Sequence, residues 1–159
     1  MSKSLKRVHA VLTGAGVATE VLEMSSETRT AQQAADAADC ALDQIAKSII
    51  VAGADTGAIY LFITAGGNQV NMTRAAALAG EPLDRADAQA VRSHTGFAIG
   101  GVAPIGHLSP VRTFMDHRLM DFPKIYGAAG TPRHIFGISP NKLVEISNSQ
   151  ISDFVSLKK

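Results

Sequence analysis

Apolar positions along the chain switch between two periods, and the switches mark its elements. Leu5, Val8 and Leu12 recur at helical spacing behind Ser4, a candidate N-cap, and Gly14 and Gly16 close the segment. Ala18 to Met24 alternates as a strand through Val21 and Leu22. Thr30, with Gln33 three residues on, forms a capping box that opens a second helix. Its face of Ala31, Ala34, Ala35 and Ala38 is small enough for close packing on a sheet. Ile45 to Ala52 reads as a central strand, apolar on both faces except at Lys47 and Ser48. A loop from Gly53 to Gly57 returns the chain as Ala58 to Thr64, an antiparallel neighbour.

Beyond a turn at Ala65-Gly66-Gly67-Asn68, the spacing predicts a short helix over Asn71 to Ala79, stopped by Gly80 and Pro82. Asp87 caps another through Arg92. Val111 to Met115 is a strand, Asp116-His117-Arg118 a polar turn, and Lys124 to Ala128 a further strand running into Gly130-Thr131-Pro132-Arg133-His134. Ile135 to Ile138 is extended again. Ser139-Pro140 opens a helix with Leu143 and Val144 inward, Ile151 to Val155 makes a last strand, and Lys158-Lys159 forms a frayed tail. With no linker, repeat or low-complexity block, residues 1–159 are expected to form one domain.

Composition narrows the function classes. Hydrophobic residues make up 46% of the chain, enough for a real core, while the formal net charge of +1 leaves no bulk field for nucleic acid. Aromatics at 5% and no Trp argue against a base-stacking platform. Basic contacts are confined to scattered candidates, Lys47, Arg112, Arg118 and Arg133. One cysteine excludes an internal disulfide and suits a reducing compartment, and no apolar run reaches membrane-spanning length. A cytoplasmic protein without a membrane contact is expected.

Candidate chemistry gathers at few places. Lys47 on a covered strand must either enter a cleft with a partner or snorkel from the strand's start. Thr95 to His107 breaks from an apolar run into Gly100-Gly101 and then Pro104, a segment that serves either as a tight loop or as a cradle of backbone N–H groups. The five histidines show no metal-ligand spacing, and there is no Gly-x-Ser-x-Gly elbow, so neither a metal nor a cofactor is expected.

In order along the chain, Thr28-Arg29-Thr30-Ala31, Ile45-Ala46-Lys47-Ser48, Gly100 to His107, Asp116, Ala129-Gly130-Thr131-Pro132-Arg133 and Ser139-Pro140 with Leu143 resemble the YbaK/ProX family. These are the editing domains associated with prolyl-tRNA synthetase. The resemblance implies an α/β fold of the α+β type, a mixed, strongly curved, barrel-like sheet flanked by helices. It implies hydrolysis of the ester that joins a wrong amino acid to the 3′ terminal adenosine of tRNA, without a protein nucleophile and with the ribose 2′-hydroxyl assisting. The family's lysine maps onto Lys47 and its glycine-rich substrate loop onto Gly100 to His107. The catalytic set is then Lys47 with the amides around Gly100, Gly101 and Gly130. The substrate-binding set is Ser48, Ile99, Pro104, Gly106, His107, Ala128, Thr131, Arg133 and His134; His107 and His134 could equally be loop histidines bonding backbone. Some relatives carry a polar specificity residue where this chain has Ala128, which leaves the amino acid open. The implied partners are the aminoacyl-tRNA acceptor end and a synthetase. A non-catalytic module that binds charged tRNA ends is the alternative.

Overall fold

The computed structural model describes residues 2–17, 21–28 and 30–156. The expected strand residues Ala18 to Glu20, Arg29 of the Thr28–Ala31 motif and the Lys158-Lys159 tail lie outside the described residues. Helix α1 (Lys3–Gly14) buries Leu5, Val8 and Leu12 as its spacing predicts. Its cap is Ser2 rather than Ser4: the Ser2 hydroxyl accepts from the Leu5 N–H at 3.1 Å, so Ser4 joins the first turn. Strand β1 (Val21–Glu23) leads to α2 (Ala31–Ala38), where Thr30 and Gln33 cap each other reciprocally. A 3-10 turn, Leu42–Gln44, then feeds the antiparallel hairpin of β2 (Ile45–Gly53) and β3 (Ile59–Ala65).

Helix α3 (Met72–Ala79) starts at an Asn71 cap and ends at Gly80, whose φ of +84° suits glycine. The sequence pattern had no strand next, yet Leu83–Arg85 forms β4. It exists because the end of β2 offers it an edge, pairing Val51 with Arg85 and Gly53 with Leu83. Helix α4 (Ala88–Thr95), capped by Asp87, precedes an irregular segment and then β5 (Arg112–Asp116). The polar turn expected at 116–118 is a 3-10 helix, His117–Asp121, and Asp116 itself is buried. Strands β6 (Ile125–Thr131) and β7 (His134–Ile138) form a hairpin, followed by α5 (Pro140–Ser147) with Ser139 as cap. The last strand, β8, is Gln150–Ser152 rather than Ile151 to Val155. Phe154 is instead buried edge-on against Phe62, and Val155 makes a lone bridge to Val70.

These strands make one mixed sheet in the order β1-β7-β6-β2-β3-β5-β8, with β4 on β2. Alternation along the strands splits the apolar side chains between two faces. Leu61, Ile63, Met115 and Phe136 pack with α1 and Phe97 on one face. Tyr60, Phe62 and Phe114 pack with α3 and Phe154 on the other, where Phe62 and Phe114 stack at 4.9 Å. The consequence for function lies at β2. One of its edges pairs with β3 throughout, whereas the other is shared between β6 at Ile45-Ala46 and β4 from Val51 to Gly53.

The loop joining β2 to β3 is fastened by Glu81. Its carboxylate accepts from the Asp55 and Thr56 N–H groups, from the Thr56 hydroxyl at 2.7 Å and from the Tyr60 hydroxyl at 2.6 Å. The Tyr60 bond first, then that from Thr56, holds the Glu81 carboxyl at about 2, below its ordinary 4.5. A carboxyl depressed in the fold contributes stability that is complete above its unfolded value and lost as pH falls through its folded one. Thermal melts from pH 6 to pH 2 should therefore show wild type losing stability between about 4.5 and 2 more steeply than Glu81→Gln. Parallel curves for the two proteins would contradict this.

Candidate functional site

A cleft of about 730 Å³ opens along the shared edge of β2. Lys47, Ser48, Ile99, Gly100 and Ala128 line it, together with the ends of β4 and β6. Five of the sequence-predicted site residues thus meet in one cavity. Lys47 is half-buried, and its ammonium donates to the Asn68 carbonyl at 2.6 Å. Burial pushes the Lys47 ammonium down, while the Asp116 and Asp43 carboxylates draw it back up.

Asp116, 48 residues beyond Asn68 in sequence, sets that arrangement. Its Oδ2 accepts from the Ala65 N–H at 3.0 Å and from the Asn68 side-chain amide at 2.8 Å, and its Oδ1 accepts from the Arg118 N–H. The 65–68 turn, legible in sequence only as a glycine turn, is therefore a bracket that presents the Asn68 carbonyl to Lys47. An acid at the buried end of an apolar strand was the available signal for Asp116; Asn68 gave none beyond its place after two glycines.

The two glycine loops touch, but only the first reaches the cleft. Gly100 has φ +95° and open space where a side chain would be. A Cβ on Gly101 would lie 3.0 Å from the Thr131 Cα, so the loops can approach only through glycine. The Gly101 N–H donates to the Ala98 carbonyl at 3.0 Å. Gly130 is buried with φ +94°, and a Cβ there would stand 2.9 Å from the Ser4 carbonyl oxygen and 3.0 Å from the Phe97 ring. The Gly101 amide, expected as an oxyanion donor, is thus spent on Ala98, and Gly130 lies outside the lining of the cleft.

Other expected site residues lie elsewhere too. Pro104 is buried, and its ring would meet a Cβ on Gly127 at 3.3 Å. The Gly106 carbonyl accepts from Arg7 Nε at 2.7 Å, and the Arg7 guanidinium covers the Phe97 ring at 4.5 Å. Arg7, unremarked in the sequence, is what ties α1 to this loop. His107 Nε2 donates to the Ala103 carbonyl at 2.8 Å, its ring edge-on to Phe97, and burial pushes its pKa down. Thr131, Arg133 and His134 line a separate pocket beside the start of α1, with Thr131 Oγ1 bonded to His134 Nδ1 at 2.6 Å. Of the basic candidates, Arg118 is paired with Asp43 and Asp121, and Arg112 is bonded to the Ala79 carbonyl over the Phe114 ring. No described helix is long and apolar enough to cross a membrane.

A family described as the aminoacyl-tRNA editing domain matches residues 25–146. A crystal structure of a proposed trans-editing enzyme for prolyl tRNA synthetase superposes with a TM-score of 0.90 at 38% identity, covering 98% of this chain and 99% of that one. A structure from work on computational epitope grafting onto scaffold proteins gives a TM-score of 0.91 at 36% identity, over 99% and 100% of the two chains. The uncharacterized protein YwhH of Bacillus subtilis (strain 168) is 27% identical over 148 residues, 93% of this chain and 94% of that protein.

Proposed function

Because the chain belongs to the aminoacyl-tRNA editing domain family, we propose that it is a deacylase that hydrolyses mischarged aminoacyl-tRNA in trans at the 3′ terminal adenosine. The observation that carries this reading is Lys47, a half-buried ammonium on the wall of a cleft that also holds Gly100. In the reaction, water adds to the ester carbonyl carbon, the bond from that carbon to the ribose oxygen breaks, and the ribose oxygen takes a proton from the water. Lys47 supplies a fixed positive charge for an oxygen of the terminal nucleotide or of the ester. No protein nucleophile is required. Selection of the amino acid is by size, a second sieve behind a synthetase pocket that separates neighbours differing by one methylene by only about 1–3 kcal/mol.

A panel of mischarged tRNAs incubated with the protein tests this. At least one should lose its amino acid faster than by spontaneous hydrolysis, with a shallow salt dependence because the basic side chains lining the cleft are Lys47 and Arg85. Saturable binding to charged tRNA with no ester loss across the whole panel would replace the enzyme with a binding module.

A further inference from the structure

The second edge of β2 is interrupted. Gly53 donates to the Ala58 carbonyl and accepts from the Gly57 N–H, so odd residues of β2 turn their backbone groups toward β3. Ala54 donates to the Pro82 carbonyl, which places the even residues on the opposite edge. That edge meets β6 as far as Ala46 and β4 only from Val51. The N–H and C=O of Ser48 and the N–H of Ile50 therefore face the opening, unpaired among the described residues. Ser48 and Ile50 are both half-buried, so these groups stand in the wall of the cleft. The Ser48 hydroxyl is also buried and has no hydrogen-bond partner among the described residues. Both residues line the cleft.

We propose that this gap is the subsite for the amino acid of the substrate, which docks as a one-residue strand on β2. The inference rests on the editing reading above. An aminoacyl ester carries the groups that one strand residue offers to a neighbour, a nitrogen donor and a carbonyl acceptor on either side of a single Cα. The substrate's α-ammonium donates to the Ser48 carbonyl, and its ester carbonyl accepts from a backbone N–H of this edge, Ser48 or Ile50. The edge thereby supplies the donor to the developing oxyanion that the Gly101 amide, spent on Ala98, does not. The free groups select this occupant: one carbonyl, at Ser48, and two N–H groups, at Ser48 and Ile50, match one residue rather than a full strand. At about 3.4 Å per residue, the last β6 pair and the first β4 pair stand only about 17 Å apart. A longer peptide or a second copy of the chain adding a full strand would collide with β4 or β6. Recognition through backbone alone leaves the side chain of the amino acid unread except by the space around it, as a size sieve requires.

The test uses the amide-linked analogue 3′-(L-alanylamino)-3′-deoxyadenosine, which cannot be hydrolysed, and its N-acetylated form. Amide hydrogen exchange followed by NMR should slow by at least tenfold at Ser48 or Ile50 when the analogue is bound, with Gly101 unchanged. The N-acetyl form should bind at least tenfold more weakly. If the analogue binds and perturbs other resonances while both β2 amides exchange as before, the subsite is refuted and the editing reading stands. If the analogue does not bind at millimolar concentration, the subsite is refuted as well, and the mischarged-tRNA panel decides the editing reading separately. Equal affinity for the acetylated form would also overturn the ammonium contact.

Discussion

Lys47→Ala should lower single-turnover deacylation of a responsive mischarged tRNA by at least ~100-fold, the scale at which removing one preorganised electrostatic contact acts on a transition state. The fold should survive. The ammonium is only half-buried, and its removal deletes one charge-assisted bond, to the Asn68 carbonyl. That costs about 1–3 kcal/mol, or a fall in melting temperature of a few degrees for a chain of this size. Lys47→Arg should also be poor, because a planar guanidinium does not replace a compact ammonium seated against one carbonyl. Near-normal rates in Lys47→Ala would remove this residue from the site and leave it as a strut for the 65–68 turn.

The largest stability effect should come from Asp116→Ala. The carboxylate is buried and accepts from the Ala65 N–H, the Asn68 amide and the Arg118 N–H, so truncation strands three donors at once. A donor left unsatisfied in a buried site costs about 1–3 kcal/mol, so stranding these three together costs about 3–5 kcal/mol, the Arg118 N–H being only partly buried. At about 2–4 °C per kcal/mol the melting temperature should fall by ~6–20 °C. Asp116→Asn keeps the shape and one acceptor but faces a donor with a donor, so it should fall between wild type and alanine. Both variants should lose deacylation beyond their loss of folded protein, because the turn that presents Asn68 to Lys47 is no longer held. Calorimetry alongside rates corrected for folded fraction checks both parts. Full activity per folded molecule in Asp116→Ala would show that the turn does not position Lys47.

Local chemistry made much of the chain readable. The Thr30–Gln33 box, the Asp87 cap and the Ser139-Pro140 start each satisfy orphan N–H groups within one turn, so their partners sit a few residues away in sequence. The two-sided apolar pattern of β2 likewise named a central strand and singled out Lys47 and Ser48 within it. Tertiary structure decided what those residues face. Strand β4 is short, polar and largely exposed, and only the free edge of β2 makes it a strand. His107 follows a glycine-proline loop as a ligand histidine would, but the packing of Phe97 and the Ala103 carbonyl holds it inside. The bracket from Asp116 through Asn68 to Lys47 and the gap at Ser48 both depend on which strands lie side by side. Sequence determined the capped helices and the central strand and singled out Lys47, because caps and alternation act over a few residues. The fold alone decided the site, because hydrogen bonds between strands join residues that no local pattern relates.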